Sequence, residues 1–455
     1  MSTHRDLTLE ELSERTGASP QVLREWRSLG LLGATAEDRY GPEDAERARI
    51  IELCIRRGFG AEVISRAEAR ERILRRYLDQ VFPGGVGVTY SLEDTARMTG
   101  LDTELVKRLW EAIRSEDPDE RIHPEDVEML RGWKVALDAG FPEEALFQVV
   151  RVYVDALGRV AEAEAHLFHF YVHERLKDAG LSGPQVVAAT EVASGRMREL
   201  IEPAVLYFHR RGMARALRED MLLHLAEYAG PVDRPDTPAQ LRLAIAFLDL
   251  ASFTPLTESM GDVAAAEVVE RFSELVREVV NRYHGRVVER IGDAFMLVFS
   301  EPRSAVACAL EVDSRTTVEP QFTAVRGGVH FGPVLYREGG YVGSNVNIAS
   351  RVAGEARRHQ VLVTAAVRTE ASGLPDVEFV PLGRRALKGL AESPELFEAR
   401  ARGRKSTAKV IDPVCGMELA PAEVAARLSV EGSERAFCSE TCLRMFVEAP
   451  QKYRR

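Results

Sequence analysis

Lysine is scarce in this chain of 455 residues, and none lies between Lys177 and Lys388. Arginine supplies most of the positive charge. The net charge is −11 and the isoelectric point is near 5.6, so the molecule as a whole does not attract polyanions. Any contact with nucleic acid has to come from a local basic patch. Long apolar runs are missing too: there is no stretch of about 18 such residues, which argues against a transmembrane helix. The opening residues Met1 to Asp6 lack the apolar centre of a secretion signal, so a cytoplasmic protein is expected. Cysteine is also rare. Three of the five cysteines crowd the tail from Cys415 onward. That distribution suits a reducing compartment and a metal or redox patch better than a disulfide scaffold.

What is present divides into four parts. The first part repeats itself. Leu7 to Gly17 aligns with Tyr90 to Gly100, Tyr40-Gly-Pro-Glu-Asp with Ile122-His-Pro-Glu-Asp, and Gly58-Phe59 with Gly140-Phe141. Each copy predicts a short capped helix, a Thr-Gly turn and a second helix starting at Ser19-Pro20 or Asp102-Thr103. With Leu23-Arg24-Glu25-Trp26, Gly30-Leu31-Leu32 and a wing at Arg39-Tyr40, residues 1–75 resemble the MerR family of helix-turn-helix proteins. In the second copy an acidic stretch, Ser115 to Glu120, fills the wing position and would repel phosphate. Apolar residues three and four apart continue a helical pattern to about Gly230. Residues 88–230 resemble the regulatory domain of soluble actinobacterial cyclases. That resemblance implies a response to pH, with His123, His166, His169 and His173 as groups that titrate in range.

A proline-rich linker, Pro231 to Pro238, precedes residues 241–400. There strand and helix alternate: strand Leu243–Leu248, helix Asp262–Tyr283, a hairpin of Arg286–Ile291 with Ala294–Phe299, helix Ser304–Ser314 and strand Thr323–Phe331. A helix start at Val346–Gly354 and a strand at Val361–Thr364 follow. The pattern predicts an α+β, ferredoxin-like antiparallel sheet with helices on one face. A second linker begins at Arg402.

The third part carries two carboxylates. Asp249 ends the run Leu243-Ala-Ile-Ala-Phe-Leu-Asp and is followed by Phe253-Thr254. Asp293 sits in Arg290-Ile-Gly-Asp-Ala-Phe, in the hairpin turn. In an antiparallel sheet two such ends can lie side by side and hold two divalent cations, Mg or Mn. Arg351 offers a fork matched to phosphate oxygens, and Asn347 stands one turn earlier on the same helix. Lys388 in Leu387-Lys-Gly is a point charge for terminal phosphates. Together with His330-Phe-Gly-Pro-Val, these motifs resemble the class III adenylate and guanylate cyclases. The resemblance implies a homodimer with composite sites. One protomer gives Asp249 and Asp293, and the other gives base, ribose and phosphate contacts. Phe253 and Thr254 are further nucleotide-binding positions.

Two positions depart from the family. Where adenylate cyclases usually carry a base-reading lysine stands Glu289, and the second base-reading position is Gly340. A carboxylate accepts from the guanine N1–H and N2–H₂ donors, whereas adenine N1 faces it unfavourably. A mismatched polar group of this kind costs roughly 1–3 kcal/mol. GTP is therefore favoured over ATP.

The tail, residues 410–455, holds Asp412-Pro-Val-Cys415-Gly-Met and Cys438-Ser-Glu-Thr-Cys442, the last two cysteines on an expected helix start. It resembles a YHS-type metal-binding module. Cys415, Cys438 and Cys442 suit Zn or Cu(I), with the fourth ligand open. Cys54 and Cys308 fall in apolar helical patterns and read as core. The expectation is a nucleotidyl cyclase without a membrane anchor. The other reading is a MerR-like transcription regulator that senses nucleotide without turning it over. Glu10, Glu11, Glu14 and Glu25 weigh against DNA binding in the first copy.

Overall fold

Two glycines with left-handed backbone, Gly17 (φ 75°) and Gly100 (φ 72°), each end the first helix of a repeated helical unit. The computed structural model describes residues 7–33, 39–82, 89–113, 122–181, 183–229, 240–390, 392–403 and 409–453. The chain forms two compact units that divide after Val232. The acidic stretch at 115–120, the proline linker at 231–238 and most of the second linker lie outside the described residues.

In the first unit, α1 (Leu9–Thr16), α2 (Pro20–Ser28) and α3 (Pro42–Arg56) are followed by α4 (Ala61–Glu71) and α5 (Ile73–Val81). The second copy is α6 (Leu92–Thr99), α7 (Thr103–Ile113) and α8 (Pro124–Asp138). The capping chemistry repeats: Thr8 and Ser91 accept from backbone amides of the first turn, as Ser19 and Asp102 do for the second helices. A single bridge closes each copy, Leu7 with Tyr40 and Tyr90 with Ile122. Leu12, Leu23, Trp26 and Tyr40 centre the first core, and Val106, Leu109, Trp110 and Ile122 the second. The exposed residues of α2 are Gln21, Arg24, Glu25 and Ser28, which makes no basic stripe.

The helical pattern continues as expected through α9 (Glu143–Phe168), a π-turn at His169–His173, α10 (Glu174–Asp178) and the 47-residue α11 (Gly183–Ala229). Leu200, Tyr207, Phe208, Leu217 and Leu225 of α11 are exposed.

In the second unit, β1 (Gln240–Leu250), α12 (Phe253–Arg282), β2 (Arg286–Ile291), β3 (Ala294–Phe299), α13 (Pro302–Val318), β4 (Phe322–Thr323) and β5 (Val325–Arg337) come first. Then follow β6 (Gly340–Val342), α14 (Ser344–Glu355), β7 (Gln360–Thr364), α15 (Ala365–Glu370), β8 (Val377–Arg384) and β9 (Glu395–Ala401). The tail adds β10 (Val410–Ile411), β11 (Met417–Leu419), β12 (Ala426–Val430), β13 (Ser433–Phe437) and α16 (Glu440–Glu448). The main sheet runs β2-β3-β1-β5-β7-β9-β8, with β6 folded back on β5. Its order β2-β3-β1-β5, joined through α12 and α13, is the ferredoxin-like β-α-β-β-α-β unit. The β5–β7 pair is parallel and the other neighbours are antiparallel.

Helices cover both faces of this sheet, not one. Ala244, Ala246 and Leu248 of β1 pack with Phe272 and Val276 of α12 and Val312 of α13. Ile245 and Phe247 turn the other way, onto Ala349 and Ala353 of α14. The cause is legible in β1 itself, which is apolar at every position from Leu243 to Leu248, the pattern of a strand buried on both sides. Nor is the tail a separate body: β11 pairs antiparallel with β4, Met417 opposite Thr323. Val414, Cys415, Phe437 and Phe446 lie in one continuous core with Phe272 and Phe322. Among the described residues no helix is long and apolar enough to cross a membrane.

Candidate active site

Strand register brings the two aspartates together. Asp249 lies opposite Arg326 of β5, and Leu248 opposite Phe295 of β3. The β2–β3 turn therefore sits beside the end of β1. Gly292 (φ 64°) makes that turn, and Asp293 lies beside Asp249. Burial, then the charge and contact of Asp249, push the Asp293 carboxyl up to about 7. Arg326 donates through Nε to Asp249 Oδ2 at 2.7 Å, and through a second nitrogen to the same oxygen. Two crowded carboxylates, Asp293 with raised proton affinity, are a donor set that fits hard divalent cations. Arg326 escaped the sequence reading because only the register of β1 on β5 places it here.

Asn347 and Arg351 stand four apart on α14, both exposed. The helix is pinned to β5 at short range. A Cβ at Gly328 would lie 2.1 Å from Ala353 N, and one at Gly332 would meet the Asn345 side chain at 2.8 Å. His330 contacts Asn345 Oδ1 through Nε2 at 2.7 Å and Thr364 Oγ1 through Nδ1 at 2.8 Å, and Asn345 Nδ2 donates to the Pro333 carbonyl at 2.6 Å. Burial lowers the pKa of His330, which keeps the ring neutral for this pattern. Asn345 was not foreseen either; its role depends on the His330 contact across 15 residues.

The remaining candidates stand apart from the aspartates. Glu289 is exposed on β2 beside a bulge, Gly340 opens β6, and Lys388 is exposed in the β8–β9 connection. None of Glu289, Asn347, Arg351 and Lys388 is hydrogen-bonded to either aspartate among the described residues. Phe253 is half-buried against the core at the start of α12. Thr254 is exposed and lines a cavity of about 630 Å³ with Ser252, Arg358, Asp412, Gly416 and Tyr453.

In the tail, Cys438 lies before α16 rather than on it, because Ser439 is the cap and accepts from the Cys442 amide. The sulfurs still converge: Cys438 Sγ lies 3.6 Å from both Cys415 Sγ and Cys442 Sγ. Thiol donors Cys415 and Cys438 pull Cys442 down to about 3, while donation to Cys438 and Cys442 pushes Cys415 up. Asp412, fully buried, joins the set; its carboxylate and the three sulfurs lie within 4.8 Å of one another. Cys308 is buried, and burial drives its thiol up to about 12, whereas Cys54 is only half-buried. Of the histidines, His123 packs on Phe82 with ring centres 5.0 Å apart, and His166 and His169 lie against Phe170. His173 stacks on His169, contacts Thr190 Oγ1 at 3.2 Å and is lowered by burial and by Lys177 and Arg76.

Comparison with known proteins agrees with this arrangement. Residues 238–398 match the adenylate and guanylate cyclase catalytic domain, residues 11–210 the adenylate cyclase regulatory domain and residues 410–455 the YHS domain. The chain is thus a class III nucleotide cyclase carrying a regulatory domain before its catalytic domain and a YHS domain after it. The regulatory match takes in the first helical copy as well as the second. Among relatives, the chain is 27% identical to the pH-sensitive adenylate cyclase of Mycobacterium tuberculosis, over 83% of this chain and 92% of that protein. It is 28% identical to an adenylate cyclase of Streptomyces coelicolor, over 62% of this chain and 71% of that one. Among solved structures, the adenylyl cyclase CyaB of P. aeruginosa matches at 17% identity and a TM-score of 0.33, over 37% of this chain and 98% of that one.

Proposed function

We propose that the protein converts a nucleoside triphosphate, GTP in preference to ATP, to its 3′,5′-cyclic monophosphate and pyrophosphate, at sites shared by two copies of the chain. The convergence of Asp249 with Asp293 carries this reading. The ribose 3′-oxygen forms a bond to the α-phosphorus, the bond from that phosphorus to the β-phosphate bridge breaks, and the hydroxyl proton leaves. A pair of Mg²⁺ or Mn²⁺ ions held by Asp249 and Asp293 would lower the hydroxyl pKa and offset phosphate charge. Asn347 orients the ribose oxygen, Arg351 meets the charge that develops on the α-phosphate, and Lys388 holds the terminal phosphates. Glu289 accepts from guanine, Gly340 leaves the second base position bare, and Phe253 and Thr254 border the nucleotide.

The homodimer is supported by the exposure of Asn347 and Arg351, and by the apolar residues that α11 leaves exposed along its length. Purified protein with Mn²⁺ or Mg²⁺ and either ATP or GTP, scored for cyclic product, tests the reaction; no product from either sinks it. The names of the relatives favour a second reading of the base, ATP, and a helical half that responds to pH, for which His173 is the best-packed candidate. A MerR-like, DNA-binding role for residues 1–75 is the weaker alternative, given Glu25 beside Arg24 on α2. In the tail, Cys415, Cys438 and Cys442 are read as ligands for Zn or Cu.

A further inference from the structure

The tail meets the catalytic domain three residues beyond Asp249. Ala251 donates to the Ala324 carbonyl at 2.7 Å and accepts from Thr323 Oγ1, and Thr323 is the β4 residue paired with Met417. The next residue, Ser252, has left-handed backbone (φ 74°) and begins α12. It lies so close to Gly416 that a Cβ there would sit 2.5 Å from Ser252 Cβ. Arg358 clamps this joint, donating to Ser252 Oγ at 3.1 Å, the Gly416 carbonyl at 2.7 Å and Glu418 Oε1 at 3.2 Å. His359 bridges Asp313 and Glu418 at 2.6 and 2.8 Å. Gly416 follows Cys415 directly, so the corner that carries the end of β1 is held by the loop that carries a thiol.

The thiol cluster has the dimensions of a tetrahedral ion site. A metal–sulfur length of about 2.3 Å in a tetrahedron sets sulfurs roughly 3.8 Å apart. The two closest pairs here are 3.6 Å apart. Asp412 ties both cysteine loops together, accepting from the Val414 amide at 2.8 Å and the Cys438 amide at 2.8 Å. Oδ1 also accepts from the Cys415 amide at 3.4 Å, whereas Oδ2 accepts from the Cys438 amide and keeps a lone pair. A carboxylate beside three thiols suits a borderline ion such as Zn²⁺ better than Cu(I), which prefers sulfur alone.

We infer that Asp412 is the fourth ligand of a Zn²⁺-type site with Cys415, Cys438 and Cys442, and that filling this site stiffens the Ser252 corner and thereby positions Asp249. The second half rests on the cyclase reading only for its functional consequence; the stiffening is measured without turnover. Co²⁺ added to the full chain reports the site through thiolate-to-metal charge-transfer absorption, to which the Asp249–Asp293 pair is silent. One Co²⁺ per chain is expected, weakened at least about tenfold in Asp412→Asn. Cys442→Ser, which leaves the Ser439 cap in place, should lose the absorption while keeping its helical circular dichroism. Zn²⁺ should then slow amide exchange across residues 251–257 by roughly fivefold or more, the low end of measured site-to-site couplings. Arg358→Gln should keep the absorption and lose the slowing. Absence of the absorption in the unaltered chain, full affinity in Asp412→Asn, or bound Zn²⁺ with unchanged exchange would each overturn the inference. Loss of cyclic product with the exchange effect intact would instead count against the cyclase reading alone.

Discussion

Asp249 and Asp293 are brought side by side by the β1–β3 pairing, and Asp293 is lifted to about 7 by burial and by its neighbour. A carboxyl whose folded pKa exceeds its ordinary 3.8 contributes stability at low pH that is lost as pH rises through about 7. Metal-free protein is therefore expected to lose thermal stability from this group between those values, and Asp293→Asn to flatten that loss. Melting curves across the range, with and without the substitution, test it.

The same proton competes with a cation. Mn²⁺ affinity should fall by up to about tenfold per pH unit below about 7, as for any ligand that must deprotonate first. Calorimetric titration on either side of neutrality measures this. An affinity independent of pH would remove Asp293 from the ligand set.

Asp249→Ala removes the group on which Arg326 and Asp293 both converge. Turnover should drop by at least about a hundredfold, roughly 2.7 kcal/mol at 1.36 kcal/mol per tenfold. Circular dichroism should be retained. A variant that still turns over at the original rate argues that the metals bind elsewhere.

Composite sites predict complementation. Asp249→Ala and Arg351→Ala proteins, each inactive alone, should recover activity on mixing. Heterodimers with one intact site limit the gain to about a quarter of the unaltered rate under random exchange of subunits. Two inactive proteins that stay inactive when co-expressed and co-purified would speak for sites within one chain.

Glu289→Lys reverses the sign of the group at the base-reading position. The ratio of kcat/KM for GTP over ATP should shift toward ATP by roughly 5- to 150-fold, the span of 1–3 kcal/mol for a mismatched polar pair. An unchanged ratio would make Glu289 a solvated edge residue.

The parts of this molecule read most easily from sequence are those written over six or more residues. The hairpin Arg286–Ile291 with Ala294–Phe299 agrees with the structure residue for residue, because two apolar runs flank one glycine turn. The two aspartates were legible because each ends or interrupts such a run. Arg326 and Asn345 were not, since their partners lie 77 and 15 residues away and depend on register and on glycine-permitted contact. Helix cover on the second sheet face was missed although the unbroken apolar run in β1 signals it. The β4–β11 pairing was invisible for another reason: strands of two and three residues are too short to show any periodicity. Asp412 reads as an ordinary Asp-Pro turn until the Cys438 loop folds over it.

The apolar core that runs from Phe272 through Phe322 to Phe437 and Phe446 joins the YHS module and the catalytic domain into one folded body. A catalytic fragment ending near Arg400 would be born with a wound: the edge of β4 bare and the aromatic face beneath it wet. Such a fragment should be sticky and slow to settle. Replacing one module without the other would require resurfacing Phe322 and its neighbours.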